Sequence, residues 1–268
     1  MCGYSIRIFG YDYTILDSEN YMLDIQLNHI YNEDCLEGMK RIPDGSIDCI
    51  ITSPPYNLGG DFHTFVAGKR VTYGDYNSPY QDKLGEQDYQ QWQVKLLNEC
   101  YRVLKQDGFM FYNHKNRIVE NNIITPFTWI HQTDFLINQV VVMNLKSTPN
   151  VDKRRFFPVH ELIFVLSKDK KSKLNNVENL TDVWEMKKVS RKVSGHPATF
   201  HEELPRRCVL SSTSENDTVL DPFMGSGTTA IACLNTNRNF IGFEVSKEYF
   251  EIANERIAKA VQNENPNT

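Results

Sequence analysis

The sequence predicts an α/β fold built on a largely parallel sheet, and three observations carry this prediction. Short apolar runs typical of buried strands alternate with segments whose apolar residues recur at helical spacing. A glycine-rich turn, "PFMGSG", separates one such strand from a helix. The 268 residues, of which 40% are hydrophobic, are enough for one large domain with a substantial core.

The first half of the chain alternates strands with helices. "NHIYNED" predicts a strand, "CLEGMKRI" a helix, "PDGS" a turn and "IDCIITS" a buried strand. In "DYQQWQVKLLNECYRVLKQDG", Trp92, Leu96 and Cys100 share one helical face, and Gly108 predicts the C-terminal stop. "FMFYNH" predicts a strand, "ITPFTWIHQ" a helix entered at Pro126, and "INQVVVMNL" and "ELIFVLSK" two further strands.

The second half repeats the alternation. "HEELPRRCVLSS" predicts a helix that contains Pro205. A strand "DTVLD", a helix "TTAIACLNT" and a strand "NFIGFEV" follow. "SKEYFEIANERIAKAVQ" predicts an amphipathic helix with Ser246 as its N-cap. Residues 1–28 are expected to add a strand at the sheet edge.

The composition indicates which cellular compartment and which kinds of partner to expect. No stretch has the apolar length of a membrane span, and the N-terminus lacks the layout of a signal peptide. Six scattered cysteines without a CxxC motif favour a reduced, cytoplasmic protein with neither a disulfide framework nor a metal site. The net charge is −5, yet Lys146 to Lys192 holds 12 Lys and Arg against 6 Asp and Glu. This basic segment is either a partner-facing strip or a solvated loop region.

A proline-rich stretch, "CIITSPPYNLGG", ends the buried strand at Ser53, Pro54, Pro55 and Tyr56. Two prolines cannot extend a sheet, because each lacks an N–H and has a fixed φ. The chain must therefore leave the strand as a stiff loop that offers carbonyl acceptors beside an aromatic ring. Taken alone, the same letters also suit a proline turn with a surface tyrosine.

The C-terminal unit, "DTVLDPFMGSGTTAIACLNTNRNFIGFEVS", has the layout of a nucleoside site. Gly225 and Gly227 would let the backbone approach a ligand, and Glu244, 23 residues after Asp221, suits two ribose hydroxyls. The turn lacks the third glycine of a dinucleotide site and the lysine of a P-loop. Asp221 would repel a pyrophosphate and suits an ammonium or sulfonium, as in S-adenosylmethionine. An ordinary βαβ unit is the alternative.

The combination of "TSPPYN" with a later "DPFMGSGTT" resembles the beta class of amino-group DNA methyltransferases of bacteria and phages. Further segments that carry the resemblance span most of the chain: "IYNEDCLEGMKRIPDGSIDCIITSPPYN", "RRFFPVHELIFVLSK", "DVWEM" and "HPATFHEELPRRCV". The resemblance implies a circularly permuted, Rossmann-like S-adenosylmethionine-dependent methyltransferase fold with a small inserted target-recognition segment. The C-terminal helix should then precede, in space, the strand that ends in "NED".

The same resemblance divides the chain into functional parts. They are an N-terminal extension (1–28), a catalytic half (29–168) with a loop insertion (59–88), a target-recognition segment (169–195), a cofactor-binding half (196–262) and a tail (263–268). The loop insertion has the Gly, Tyr, Lys and Arg content of a flap that closes on DNA, or is an inert insertion.

For the cofactor, the resemblance implies that Asp34 contacts the adenine amino group and that Glu244 holds the ribose. The methionine end would be wrapped by Asp221, Phe223, Gly225 and Gly227, and covered by His196, Pro197 and Phe200. His196 is alternatively a structural residue at a helix start.

For catalysis, the resemblance implies that a flipped base enters the proline-rich loop. The Ser53 hydroxyl and the Pro54 carbonyl would accept hydrogen bonds from the exocyclic amino group and make its nitrogen more nucleophilic. Pro54 and Pro55 would keep these acceptors rigid, and Tyr56 would stack on the base. No metal is required.

Other residues are candidates for contact with DNA. Phe156 or Phe157 resembles the family position on the far side of the flipped base, or else both are core aromatics. The candidate phosphate contacts are basic side chains: Lys153, Arg154, Arg155, Lys170, Lys171, Lys187, Lys188, Arg191 and Lys192.

Ser53, where the family often has Asp for adenine, favours N4 of cytosine over N6 of adenine as the target. The expected partner is double-stranded DNA, and the resemblance also allows a cognate restriction endonuclease and a homodimer. Three alternatives stay open: an RNA or free-nucleotide methyltransferase, a catalytically silent DNA-binding relative, and a plain Rossmann-type nucleotide-binding protein.

Overall fold

An eight-stranded sheet lies between two layers of helices in the computed structural model of the chain. The structure describes residues 4–8, 11–15, 25–57, 62–66, 69–73, 84–146, 154–175, 178–186 and 202–264. The strands are, in chain order, β1 (Tyr4–Ile8), β2 (Tyr11–Ile15), β3 (His29–Tyr31), β4 (Ile47–Thr52), β5 (Phe62–Val66), β6 (Lys69–Tyr73), β7 (Leu104–His114), β8 (Arg117–Val119), β9 (Asn122–Ile124), β10 (Leu136–Asn144), β11 (His160–Ser167), β12 (Val183–Glu185), β13 (Thr218–Asp221) and β14 (Asn239–Phe243). The helices are α1 (Cys35–Met39), α2 (Glu86–Val103), α3 (Phe127–Ile130), α4 (Glu203–Ser212), α5 (Thr228–Leu234) and α6 (Lys247–Glu264).

The main sheet has the strand order β12-β10-β11-β7-β4-β13-β14-β3. Only β11 runs against its neighbours, and every other pair is parallel. The predicted α/β class with a largely parallel sheet is therefore confirmed. The C-terminal strand β14 pairs with β3 from the start of the chain, which is the neighbour relation that a circularly permuted order requires.

Apolar side chains fill both faces of the sheet. In β4, Ile50 points into the core shared with α1, α2 and α3, whereas Cys49 and Ile51 point into the core shared with α4, α5 and α6. This alternation explains why "IDCIIT" is a continuous apolar run, because a strand covered on both faces has no solvent side.

Several element boundaries differ from the sequence prediction. The helix stop at Gly108 was wrong, because α2 ends at Val103 and Gly108 lies inside β7. A Cβ at Gly108 would lie 2.7 Å from the Asp48 carbonyl oxygen, so close packing against β4 explains the glycine. The hairpin β8–β9 and the edge strand β12 were not predicted. Pro205 is tolerated because it lies in the first turn of α4.

The N-terminal extension also differs from expectation. Its two described strands, β1 and β2, pair with each other in a separate antiparallel sheet, so the expected strand at the edge of the main sheet was wrong. The predicted loop insertion likewise contains a hairpin, β5 paired with β6. Helix α2 begins at Glu86, within the predicted bounds of the insertion.

Five cysteines lie in the part of the chain that the structure describes, and all five are buried free thiols. Across the same residues, no three His, Cys, Asp or Glu side chains are grouped as a metal site would need. None of the described helices has the length and apolar character to cross a membrane.

Gly38 in α1 provides a test of the packing between α1 and β14. A Cβ at this position would lie 2.1 Å from Cε1 of the buried Phe243 ring, so Gly38→Ala forces α1 away from the sheet. We expect the free energy of unfolding to fall by about 1–3 kcal/mol in urea denaturation. Gly85→Ala is the matched control, because its nearest neighbour would be the flexible Asp88 carboxylate at 3.3 Å. Equal stability of the two variants would contradict this packing.

Candidate active site

The carboxyl ends of neighbouring parallel strands bring the candidate residues to one edge of the sheet. Ser53 follows β4, Asp221 ends β13, Glu244 follows β14, and Asp34 lies three residues beyond β3. Leu220 pairs with Ile50, so the proline-rich loop and the glycine-rich loop leave adjacent strands. Ligands bind in this type of crevice in open α/β sheets.

Tyr56 connects the proline-rich loop to β7 and β11. Its hydroxyl lies 2.8 Å from Ser53 Oγ and 3.2 Å from Glu161 Oε2. Asn113 Nδ2 donates to the Tyr56 hydroxyl at 2.8 Å and to Glu161 Oε2 at 3.0 Å. The antiparallel pairing of β11 with β7, in which Ile163 lies opposite Asn113, places Glu161 here.

A second set of hydrogen bonds fixes the loop from behind. The buried Tyr89 hydroxyl donates to the Pro55 carbonyl at 2.8 Å and lies 2.7 Å from His114 Nε2. The Tyr89 hydroxyl also accepts from Gln93 Nε2 at 2.7 Å, so the phenol is held from several sides. On the other side of the ring, His114 Nδ1 lies 2.8 Å from the Lys115 carbonyl oxygen and 2.9 Å from the Lys115 nitrogen. Burial lowers the pKa of His114 to about 3, which keeps the imidazole neutral.

Ring contacts surround Tyr56. The His114 ring lies 4.6 Å from the Tyr56 ring between centroids, at an angle of 46°. The Lys115 ammonium lies 5.2 Å from the Tyr56 ring centre. The tyrosine ring is thus positioned by both a ring and a cation, while its hydroxyl is fixed by the hydrogen bonds to β7 and β11.

Asn57 closes the stem of the segment that follows the loop. Its side chain donates to the Leu84 carbonyl and accepts from the Leu84 N–H, both at 2.9 Å. Asn57 also has a φ of 53°, a left-handed conformation that asparagine tolerates. The two bonds join residues 57 and 84 across the intervening segment and fix where the proline-rich loop ends.

Asp221 is a buried acid with only 1% exposure. Its carboxylate accepts from Thr229 Oγ1 at 2.6 Å and from the Phe223 N–H at 3.0 Å. Burial raises the pKa of Asp221 to about 6, although both hydrogen bonds act in the opposite direction. A positively charged group arriving beside this carboxylate would favour its ionised form.

Glu244 is equally buried, with 2% exposure, and holds the glycine-rich loop. Its Oε2 accepts from the Gly225 N–H at 2.8 Å and its Oε1 from the Ser246 N–H at 2.7 Å. A carboxylate has about four lone-pair sites, so each oxygen of Glu244 can accept from more than one donor.

The remaining cofactor candidates border the same crevice. Asp34 is exposed, and its Oδ1 caps α1 by accepting from Leu36 and Glu37 N–H groups. Phe223 packs against Trp92 of α2, with ring centroids 5.7 Å apart. Gly227 has a φ of 82° and lies against Ala253 of α6, so a side chain there would be strained. His196, Pro197 and Phe200 lie outside the described residues.

Phe156 and Phe157 are exposed rather than packed in the core, at 100% and 54%. This excludes the interpretation that they are core aromatics at a strand start. They precede β11, whose residue Glu161 reaches the proline-rich loop. Arg155 is anchored beside them, since its Nη2 donates to the Asn121 carbonyl at the β8–β9 turn at 3.1 Å.

The four basic candidates that the structure describes lie at two ends of β11, with Arg154 and Arg155 before it and Lys170 and Lys171 after it. Lys170 and Lys171 follow the end of β11, and Lys171 lines a polar cavity of about 470 Å³ with Asp48 and Asp217, which lie at the amino ends of β4 and β13. The reversed β11 carries both lysines to the opposite edge of the sheet from Ser53, and their contact with DNA stays a prediction. Five other candidates lie outside the described residues: Lys153, Lys187, Lys188, Arg191 and Lys192.

Sequence reasoning missed four residues of the site: Tyr89, Asn113, His114 and Glu161. Asn113 and His114 end a predicted strand, and polar residues at a strand's carboxyl end are a recognisable signal. Glu161 gave no such signal, because it lies near the start of β11. Only the antiparallel direction of β11, which the sequence does not show, brings that start to the carboxyl ends of the other strands. Tyr89 was read only as part of a helix.

The chain matches the DNA methylase family over residues 47–255. It is 32% identical over 244 residues to the type II methyltransferase M.HpaI of Haemophilus parainfluenzae, an alignment that covers 84% of this chain and 72% of that protein. It is 29% identical over 262 residues to the type II methyltransferase M.BglII of Bacillus subtilis, covering 85% and 68%.

Solved structures share the fold. The PvuII DNA methyltransferase (cytosine-N4-specific) superposes with a TM-score of 0.68 at 20% identity, over 87% of this chain and 91% of that one. The complex of M1.HpyAVI with SAM superposes with a TM-score of 0.60 at 23% identity, over 85% and 98%. The sheet that brings the two loops together is therefore the one these proteins use.

Proposed function

The chain belongs to the DNA methylase family, and from this premise we propose that it methylates the exocyclic amino group of a base flipped out of double-stranded DNA, with N4 of cytosine favoured. As a member of the family it is an enzyme, and it uses S-adenosylmethionine. The observation that carries the proposal is the adjacency of Ser53, after β4, to Asp221, at the end of the neighbouring β13.

The residues at this edge fit such a cofactor, which supplies an activated methyl group on a positively charged sulfur. Asp221 is a buried carboxylate that a cation would stabilise, and Glu244 is a carboxylate beside the glycine-rich loop, an acceptor of the type that ribose hydroxyls require. Gly225 and Gly227 leave room for a close approach, and the exposed Asp34 follows the next strand but one. We propose these residues, with Phe223, as the cofactor site.

The proline-rich loop suits the base. The Ser53 hydroxyl and Pro54 carbonyl act as acceptors for the amino hydrogens, so the nitrogen lone pair is less delocalised into the ring. Tyr89 keeps the backbone in place through the Pro55 carbonyl. Tyr56 offers its ring for stacking, and the exposed Phe156 and Phe157 are available to the base or the duplex.

Ser53 is the observation that favours cytosine, because the family often has Asp there when adenine is the target. N6 of adenine is the second candidate, since the same two acceptors serve either amino group. The type II designation of the relatives supports a cognate restriction endonuclease as a partner. A cytoplasmic location agrees with DNA as substrate, and sedimentation of the pure protein would test a homodimer.

The test of the function is transfer of labelled methyl groups to unmethylated genomic DNA, with the product nucleosides identified by mass. N4-methylcytosine is the expected product. Detection of N6-methyladenine would change the assigned target base and leave the mechanism unchanged. Total RNA serves as the parallel substrate. Label in RNA and never in DNA would overturn the proposal.

Asp221 predicts a pH dependence of cofactor binding. With a pKa of about 6, the free carboxylate is mostly ionised at pH 7, whereas at pH 5 binding of a cation must displace a proton. We expect S-adenosylmethionine to bind about tenfold more weakly at pH 5 than at pH 7 in isothermal titration calorimetry. Asp221→Asn should bind weakly with no such difference. An unchanged pH dependence in this variant would exclude Asp221 as its source.

A further inference from the structure

Ser53, Tyr56 and Glu161 form a continuous chain of hydrogen bonds that leads from the proposed base site to a carboxylate. Glu161 can only accept when ionised, so the single Tyr56 proton points to it. Both protons of Asn113 Nδ2 are also committed, one to Tyr56 and one to Glu161. Asn113 Nδ2 also lies 3.5 Å from Ser53 Oγ, a longer contact than its bonds to Tyr56 and Glu161. The Tyr56 proton is taken by Glu161, so it cannot go to Ser53.

The direction of the chain follows from these commitments. Ser53 must donate its own proton to Tyr56, which leaves the Ser53 lone pairs facing away from the tyrosine. A serine hydroxyl can be donor or acceptor, but here the carboxylate at the far end makes it an acceptor. That is the role an amino group of a base requires of it.

We propose that Glu161 is a positioning residue that orients Ser53 as an acceptor through Tyr56 and receives the proton that the base amino group loses. The inference rests on the proposed function and extends it to the fate of the proton. A serine hydroxyl is too weak a base to retain a proton at neutral pH. The reaction therefore needs a further proton acceptor, and the Glu161 carboxylate can be that acceptor.

The proton step balances as follows. Once the amino nitrogen has formed its bond to the methyl carbon, it is positively charged, and one N–H bond breaks as a Ser53 O–H bond forms. The former Ser53 proton moves to Tyr56 Oη, and the former Tyr56 proton moves to Glu161 Oε2. Ser53 and Tyr56 end neutral, the base nitrogen ends neutral, and the carboxylate becomes a carboxylic acid.

The surrounding charges suit this path. Burial and the neighbouring Glu161 charge hold the pKa of Tyr56 well above its usual range, so the phenol passes a proton on without remaining ionised. The other titratable groups around Tyr56 and Glu161 are His114, Lys115, Tyr89 and His160, the residue before Glu161. His114 is neutral because burial lowers its pKa to about 3, and its two ring nitrogens contact Tyr89 and the Lys115 backbone. Glu161 is thus the acceptor that the hydrogen bonds reach.

The first arm of the test uses the free enzyme. Tyrosine labelled with carbon-13 at Cζ reports each phenol in NMR, and the resonance missing from Tyr56→Phe identifies Tyr56. Removing the negative charge in Glu161→Gln should let Tyr56 ionise at a clearly lower pH than in the wild type. Glu251→Gln, a substitution on the exposed face of α6, is the matched control and should leave the Tyr56 titration unchanged.

The second arm measures single-turnover methyl transfer against pH. Glu161→Gln should lower the rate about 100-fold, because the amide can donate to Tyr56 and turn the Ser53 proton toward the base. Glu161→Gln and Tyr56→Phe should share one pH profile, and that profile should differ from the profile of the wild type. The double variant should be no slower than the slower single variant, since both changes break one chain. Affinities for S-adenosylmethionine and DNA should stay within about twofold.

The outcomes separate this inference from the proposed function. If the wild-type protein labels no DNA, the proposed function is overturned. The NMR titration still tests the contact between Tyr56 and Glu161 in that case. A Tyr56 titration that Glu161→Gln leaves unmoved overturns the inference. So does an active wild type whose rate and pH profile survive in Glu161→Gln, and the proposed function then stands.

Discussion

Tyr56→Ala is expected to lower the single-turnover rate of methyl transfer at least about 1,000-fold. The change removes a ring whose stacking on a base is worth about 1–3 kcal/mol. It also leaves Ser53, Asn113 and Glu161 without the hydroxyl that joins them, so the acceptor facing the amino group loses its orientation. Together, about 4 kcal/mol of transition-state stabilisation is lost, which corresponds to the stated factor.

The measurement is a rapid-quench assay with labelled S-adenosylmethionine and saturating unmethylated DNA. Cofactor affinity should change little, because Asp221 and Glu244 lie on other strands, and the denaturation midpoint serves as the control for folding. A variant that keeps a tenth or more of the wild-type rate would show that Tyr56 has no part in the chemistry.

Glu244→Gln is expected to weaken S-adenosylmethionine binding by at least about 100-fold. Both Glu244 oxygens accept backbone N–H groups, from Gly225 and Ser246, so a glutamine must turn its NH₂ toward one of these donors. The buried donor left without an acceptor costs about 1–3 kcal/mol, and the glycine-rich loop shifts with it. The acceptor proposed for the ribose hydroxyls is weakened by the same substitution.

Calorimetric titration gives the affinity, and urea denaturation should show a loss of about 1–3 kcal/mol in the free energy of unfolding of the free protein. Glu248→Gln, an exposed change in the first turn of α6, should alter neither quantity. Tight binding by a destabilised Glu244→Gln protein would mean that Glu244 holds the loop but does not hold the cofactor.

The strands and helices that matter most for the site could be predicted from the sequence. The apolar run before Ser53 and the strand before Asp221 are buried on both faces, so their patterns are strong and their ends are clear. The glycines at 225 and 227 adopt positive φ values, as a tight turn between strand and helix requires. These local signals do not depend on distant contacts.

What the sequence could not provide depends on strand direction and on distant partners. Gly108 suggested a helix stop because glycine often ends helices, but close packing against the Asp48 carbonyl determined its place. Lys171 was grouped with Arg154 and Arg155, but β11 lies between them in the chain and carries Lys171 to the other edge of the sheet. The reversal of β11 carries Glu161 to Tyr56, a contact across 105 residues that no local pattern encodes.

The paired hydrogen bonds between Asn57 and Leu84 have a consequence for how such an enzyme can change its target. The two bonds join the ends of the segment between residues 57 and 84. The geometry of the proline-rich loop therefore does not depend on the length or composition of that segment. Closing a longer segment costs little, since each doubling of length adds only about 0.6 kcal/mol. Segments of other lengths and compositions could therefore be exchanged at this point, by evolution or by design, while the chemistry at Ser53 and Tyr56 is inherited unchanged.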